Sequence, residues 1–225
     1  MSNQDLWEQK YKNGHSQQYP WDCIVSFVFK YAPKDKERSS IKILELGCGT
    51  GGNLKFIAEQ GFQPFGIELS LSAVKYAQDK LQAFSVPSVN IVTGNFVTLP
   101  YSNETFDLII DRASLCCVDK PAYLKSLQEA HRVLNPGGMF FSQTYGREHT
   151  SASSGKLLHS GMTIEISDGT LTTAGDIRFS DLNELKRIFQ SELWELNSLK
   201  NIKIVEHETL KANIHEEYMV IAQKK

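Results

Sequence analysis

The chain has few cysteines, no surplus of positive charge and no long apolar run, and each shortage closes off a class of function. Its four cysteines, Cys23, Cys48, Cys116 and Cys117, show neither the paired spacing of a zinc site nor the even framework of a small secreted domain. They read as free thiols of a reducing compartment. The adjacent Cys116 and Cys117 read as small buried hydrophobes, because neighbouring cysteines seldom close a relaxed disulfide. No metal site is expected. Lysine and arginine number 24 against 26 aspartate and glutamate, a formal net charge of −2, so the basic field on which nucleic-acid binding rests is missing. No apolar stretch approaches the ~20 residues of a membrane-spanning helix. The polar start Ser2-Asn3-Gln4-Asp5 lacks the basic-then-apolar order of a secretory signal. The expectation is a cytoplasmic protein whose partner is neither nucleic acid nor membrane; its oligomeric state stays open.

What the chain does have is enough apolar residue for one core. With 225 residues and 41% hydrophobic content it is short for two full domains, so a single domain over 1–225 is expected. From Ile41 onward, short apolar runs alternate with segments of helical periodicity, the pattern of an α/β doubly wound, mostly parallel, Rossmann-like sheet covered by helices on both faces. Strands are predicted at 41–46, 64–67, 89–93, 106–110, 139–142, 202–205 and 218–221. Ser70 is placed to cap one helix and Ser180 another, while Pro121 suits the first turn of a third. Two stretches stand outside the alternation. Residues 1–30, with Trp7, Tyr11, Tyr19 and Trp21 in a polar setting, are expected to form a lid helix region. Residues 145–180, rich in Ser, Thr and Gly between Arg147 and Thr173, are expected to be a substrate-side insertion over one sheet edge.

The chemistry begins at Gly47-Cys48-Gly49-Thr50-Gly51-Gly52. Gly47, Gly49 and Gly52 satisfy G-x-G-x-x-G between a strand and a helix, so backbone amides and a helix amino terminus can face a cofactor. Glu68 follows at the end of the next strand, where an acid accepts from ribose hydroxyls of an adenosine-containing cofactor. That pair fits NAD as well. Glu45 separates the readings: a carboxylate two positions before the glycines repels a diphosphate and attracts a cofactor carrying an ammonium and a sulfonium.

Ile43-Leu44-Glu45-Leu46-Gly47-Cys48-Gly49-Thr50-Gly51 resembles the first motif of class I S-adenosylmethionine-dependent methyltransferases. Gly66-Ile67-Glu68-Leu69-Ser70 resembles their ribose-binding strand end, and Arg132-Val133-Leu134-Asn135-Pro136-Gly137-Gly138 their turn into the fifth strand. The resemblance covers about Ile41 to Thr144. It implies a seven-stranded sheet with a final antiparallel hairpin and S-adenosyl-L-methionine as cofactor. It also implies Glu45 near the methionine amino group, Glu68 on the ribose and Asn95-Phe96 beside the adenine, with Gly47, Cys48, Gly49, Gly51, Asn53, Leu69 and Asp111 completing the cofactor contacts. Asn95 departs from the aspartate of many members, and its side-chain oxygen can still accept from an amino group.

Substrate chemistry belongs at the carboxyl ends of the strands near the switch point, which places Asp111-Arg112-Ala113-Ser114 over the transferable methyl. This segment lacks the Asp/Asn-Pro-Pro-Tyr/Phe pattern of enzymes that methylate exocyclic amines of nucleic acids, and is similar to the Asp-Arg-Gly start of thiopurine-type and related small-molecule methyltransferases. Asp111 and Tyr145 are the candidate catalytic bases. Trp7, Tyr11, Trp21 and Arg112 are expected to line the acceptor space. His131, His149 and His159 read as packing or solvated side chains. The expected function is methyl transfer to a small molecule. Protein lysine methylation, an NAD-dependent oxidoreductase and a non-catalytic cofactor-binding protein remain as alternatives.

Overall fold

A computed structural model describes residues 2–83, 89–206 and 213–225. Its strands in chain order are β1 (Lys42–Leu46), β2 (Gln63–Glu68), β3 (Asn90–Thr93), β4 (Phe106–Arg112), β5 (Leu134–Tyr145), β6 (Lys156–Leu157), β7 (Thr163–Ile164), β8 (Trp194–Glu206) and β9 (Asn213–Lys224). Its helices are α1 (Asn3–Lys12), α2 (Asp22–Tyr31), α3 (Gly52–Glu59), α4 (Leu71–Ala83), α5 (Lys120–Val133), α6 (Thr150–Ser154) and α7 (Leu182–Phe189).

Seven strands pair in the order β3-β2-β1-β4-β5-β9-β8. The first four pairings are parallel and the last two antiparallel, which is the mostly parallel sheet with a final antiparallel hairpin expected from the sequence. Consecutive apolar residues of a central strand serve opposite faces, as a doubly covered parallel sheet requires. Along β4, Leu108 and Ile110 join Ile43, Phe141, Leu54 and Ile57 beneath α2 and α3. Ile109, between them, joins Leu44, Phe140, Tyr123, Leu127 and Phe189 beneath α5 and α7. The chain leaves β1 towards β2 on one side and later returns to place β4 on the other, so the crevice for ligands opens at the carboxyl ends of β1 and β4.

Local signals set most boundaries. Ser70 Oγ accepts from Ala73 N at 3.1 Å at the start of α4, and Asp119 accepts from Ala122 N at 2.9 Å with Pro121 in the first turn of α5. The cap of α7 departs from the reading: Asp181 Oδ1, not Ser180, accepts from Glu184 N at 2.8 Å. Ser180 is instead drawn against β5, its amide donating to Tyr145 O at 2.9 Å. The hairpin strands extend well beyond the runs 202–205 and 218–221: β9 alternates half-buried and buried positions from His215 onward, and the edge strand β8 is largely exposed, so its apolar residues do not mark one buried face.

The amino-terminal region 1–30 divides in two; Met1 lies outside the described residues. α1 buries no residue. α2 places Ile24, Phe27 and Val28 in the core, with the Phe27 ring 5.4 Å from that of Phe141. Its i, i+3, i+4 spacing makes it part of the domain rather than of a lid. Within 145–180, Leu171, Ile177 and Phe179 form a small buried cluster with Cys116 from the loop after β4, and Ala152 of α6 packs against it.

Candidate active site

The loop leaving β1 turns sharply into α3, and two of its glycines are there because nothing larger fits. Gly47 has φ +67°, and a Cβ on it would collide with the Ser114 side chain. Gly49 has φ +51°, and a Cβ would stand 2.8 Å from the Tyr11 hydroxyl. Both conformations favour glycine, and the close approaches bring the β4 loop and α1 down onto the turn. Glu68 ties this loop to the end of β2: Gly49 N donates to one carboxylate oxygen and Ser70 N to the other, each at 2.9 Å. Burial raises the Glu68 carboxyl above its ordinary value against those amides.

Above the loop lies a cavity of about 360 Å³, bounded by the carboxyl ends of β1, β2 and β4 and by α1. Glu45 lines it and is 3% exposed. One of its oxygens accepts from Asn53 Nδ2 at 2.6 Å, and the other has no partner. Burial, opposed by the Asn53 bond and reinforced by Glu68, pushes its carboxyl up to about 8. An orphaned buried acceptor costs roughly 1–3 kcal/mol, and the deficit closes when a ligand cation donates to it. The residues therefore fit a cofactor with an ammonium, whose charge favours the ionised carboxylates, whereas a diphosphate would oppose their ionisation.

At the carboxyl end of β4, Arg112 lies with its guanidinium carbon 4.0 Å from the centre of the Trp21 ring, and its Nε is buried without a partner. Tyr145 lines the same wall, and burial holds its hydroxyl as a neutral phenol, pushed up to about 12. Behind it runs a polar network. His149 Nε2 lies 3.2 Å from His215 Nδ1, His215 Nε2 lies 3.5 Å from Glu217, and Gln143 donates to Glu217. The Tyr145 ring meets both imidazoles edge-on at 5.8 Å.

The roof is α1 and the segment after it. Trp7, Tyr11 and His15 form a ring cluster with centroids 5.5–5.8 Å apart. Polar latches hold it. Glu8 accepts from the Ser70 and Ser72 hydroxyls at 2.5 and 2.6 Å, which pulls its carboxyl down to about 2. Asn3 bonds Cys117 O and both backbone sides of Asp176, and Gln17 N donates to Thr50 at 2.9 Å.

Residues 43–138 match a family model described as a methyltransferase domain. The sheet order and the three motifs agree with that match, which covers less than half of the chain. Residues 43–138 form a class I methyltransferase domain. A demethylmenaquinone methyltransferase of Lysinibacillus sphaericus is 34% identical over 101 residues, which is 44% of this chain and 42% of that one. A norajmaline N-methyltransferase of Rauvolfia serpentina is 32% identical over 129 residues, 55% of this chain and 42% of the relative. These alignments thus span less than half the length of either relative. Among solved structures, an S-adenosylmethionine-dependent methyltransferase from Methanosarcina mazei superposes with a TM-score of 0.70 at 19% identity, over 92% of this chain and 98% of the other. The [4+2]-cyclase SpnF has the same fold, at a TM-score of 0.68 and 15% identity, over 100% and 97%.

The methyltransferase domain brings Glu45, Gly47, Cys48, Gly49, Glu68, Leu69 and Phe96 to the cavity wall, with Trp7, Tyr11, Trp21, Arg112 and Tyr145 around them. Four sequence candidates do not line it. Asn53 serves Glu45 and accepts from Trp21 N. Gly51 faces Ala77 and Leu81 of α4. Asn95 accepts from Val97 N in its own turn. Asp111, fully buried, accepts from Ser114 N, Leu115 N and the Ser142 hydroxyl at 2.7–3.0 Å, so it shapes the loop after β4 and does not reach the cavity. His149, read as solvated, is fully buried. Tyr19 is exposed and lies outside the site. Sequence reasoning missed His15, Gln17, Cys117, Val118 and Ile177, which line the cavity. His15 alone carried a signal, four residues after Tyr11 in the same aromatic cluster.

Proposed function

We propose that this chain transfers the methyl group of S-adenosylmethionine to a small-molecule acceptor. The observation that carries the reading is the unpartnered, buried oxygen of Glu45 in a glycine-floored cavity. Bound there, the cofactor supplies an electrophilic methyl for in-line displacement. Glu45 holds the ammonium end, and Glu68 offers its carboxylate to the ribose hydroxyls while keeping Gly49 in place. Phe96 and Leu69 supply apolar wall on the adenosine side. The chain's main contribution is alignment of nucleophile and methyl in a site from which water is excluded, an effect worth roughly 7–11 kcal/mol when orientation is complete.

A small acceptor is favoured by size. A cavity of about 360 Å³ sits near the lower end of the ~300–1,000 Å³ typical of small-molecule sites, and it is roofed by α1 rather than open along a groove for a peptide. Tyr145, neutral at pH 7, is placed to donate a hydrogen bond that orients the acceptor rather than to act as an ionised base. Asp111 acts as a positioning residue through the loop that carries Arg112 and Ser114. The thiopurine-like character of Asp111-Arg112-Ala113 is in keeping with a small acceptor. The test is incubation of the protein with methyl-labelled cofactor and cell extract. Label in the low-mass fraction supports the reading; label in protein supports lysine methylation instead.

A further inference from the structure

A second cavity, of about 730 Å³, lies on the other side of the insertion from the methyl-transfer site. Its wall carries three basic side chains, Lys120, Arg147 and Arg178, together with His159, and a single acidic one, Glu184. The ion pairs there are loose. Glu184 is shared between Lys120 at 3.5 Å and Arg178 at 3.4 Å, and Arg147 reaches Asp181 at 3.4 Å, all longer than the ~2.7–2.9 Å of a well-made charge-assisted bond.

Arg178 is the decisive residue. It is 2% exposed, and its guanidinium face lies 3.6 Å from the centre of the Tyr123 ring. Nη1 turns to Glu184, while Nε and Nη2 have no partner. Those two atoms form one edge of the guanidinium, the fork that binds a carboxylate or phosphate through two parallel hydrogen bonds. A buried charge left half-paired is expensive unless something completes it. Each cavity thus holds one buried polar side chain with unpartnered atoms, one oxygen of the Glu45 carboxyl in the first and two nitrogens of the Arg178 guanidinium in the second. Phe179, Leu157 and Leu158 add an apolar side, and Leu157 is 68% exposed at the rim.

We infer that the second cavity binds an organic anion, a carboxylate or phosphomonoester with an apolar body, whose oxyanion is clamped by Arg178 with Lys120 and Arg147 at the rim. The site is separate from that of the methyl donor. The wall between them is one strand-like segment, in which Ile177 faces the first cavity and Arg178 the second.

Calorimetry on the full chain tests this, with phenyl phosphate and phenylacetate as probes and benzyl alcohol as the neutral control. At least one anion is expected to bind, the alcohol not, and excess S-adenosylhomocysteine should not displace the anion. The preferred probe identifies the head group. Because Arg178 replacements can disturb folding, the variant is Lys120→Ala with Arg147→Ala, at side chains 56% and 59% exposed. It should weaken the anion about tenfold or more and leave S-adenosylhomocysteine binding unchanged. Three results would overturn the site: no anion binding at about 10 mM, undiminished binding in the double variant, or displacement by S-adenosylhomocysteine.

Discussion

Glu45 concentrates the electrostatics of the first cavity in one atom. Its carboxyl stands at about 8 in the folded protein against 4.5 ordinarily, so between those values the folded chain holds a proton that the unfolded chain has released. Stability linked to this group is therefore present at low pH and lost as pH rises from about 4.5 to about 8. Glu45→Gln, which keeps shape without the ionisation, should flatten that decline in melting curves taken across the window. Cofactor binding runs the other way, since the ammonium requires the charged carboxylate. Affinity for S-adenosylhomocysteine should rise with pH up to about 8, by at most about tenfold per unit, with proton release detectable in buffers of different ionisation enthalpy. A pH-independent affinity would remove Glu45 from the contact. Glu68→Ala should weaken the same ligand by about 1.5–3 kcal/mol, the worth of hydrogen bonds to a charged group; an unchanged dissociation constant would exclude Glu68. Tyr145→Phe should lower kcat while leaving S-adenosylhomocysteine affinity intact, and equal loss in both would show that the hydroxyl serves the cofactor.

Among the elements, α1 and α2 adjoin in sequence and do opposite work. α1 buries nothing and is held by Asn3 and Glu8, with Gln17 in the segment after it, the build of a segment that opens at low cost. α2 is anchored by Ile24, Phe27 and Val28. Deleting the first twenty residues should leave a folded protein with turnover reduced more than cofactor affinity. Phe27→Ala should cost about 3–5 kcal/mol of stability, as large-to-small changes in a core do. Hydrogen exchange separates the two helices: α1 should gain protection when S-adenosylhomocysteine binds, and α2 should be protected throughout. Equal protection of α1 with and without ligand, together with full activity of the truncated chain, would make α1 a fixed part of the fold.

The legibility of the molecule in its sequence follows the range of the forces involved. Strand runs, the glycine turn, the Ser70 cap and Pro121 in the first turn of α5 are local, and they stand in the sequence much as in the structure. Glu45 and Glu68 could be placed because their spacing from the glycines is fixed by one strand and one helix. Which way Asp111 points was not readable, since a strand residue may face either layer and only the bonds to Ser142 and Ser114 decide it. The network behind Tyr145 was hidden for a stronger reason. His149 and His215 are 66 residues apart and meet only because Tyr145 pairs with Glu217 in the antiparallel register of β5 and β9.

For the whole molecule, the fold by itself leaves the chemistry open, because a [4+2]-cyclase shares it. The central claim is that the cavity beneath α1 takes S-adenosylmethionine through Glu45 and Glu68 and does not take a dinucleotide. Calorimetric titration of the intact chain with S-adenosylhomocysteine and with NAD, at pH 8 where about half of Glu45 is ionised, tests it most directly. Saturable one-site binding of S-adenosylhomocysteine and none of NAD is the predicted result. Tighter binding of NAD would contradict it.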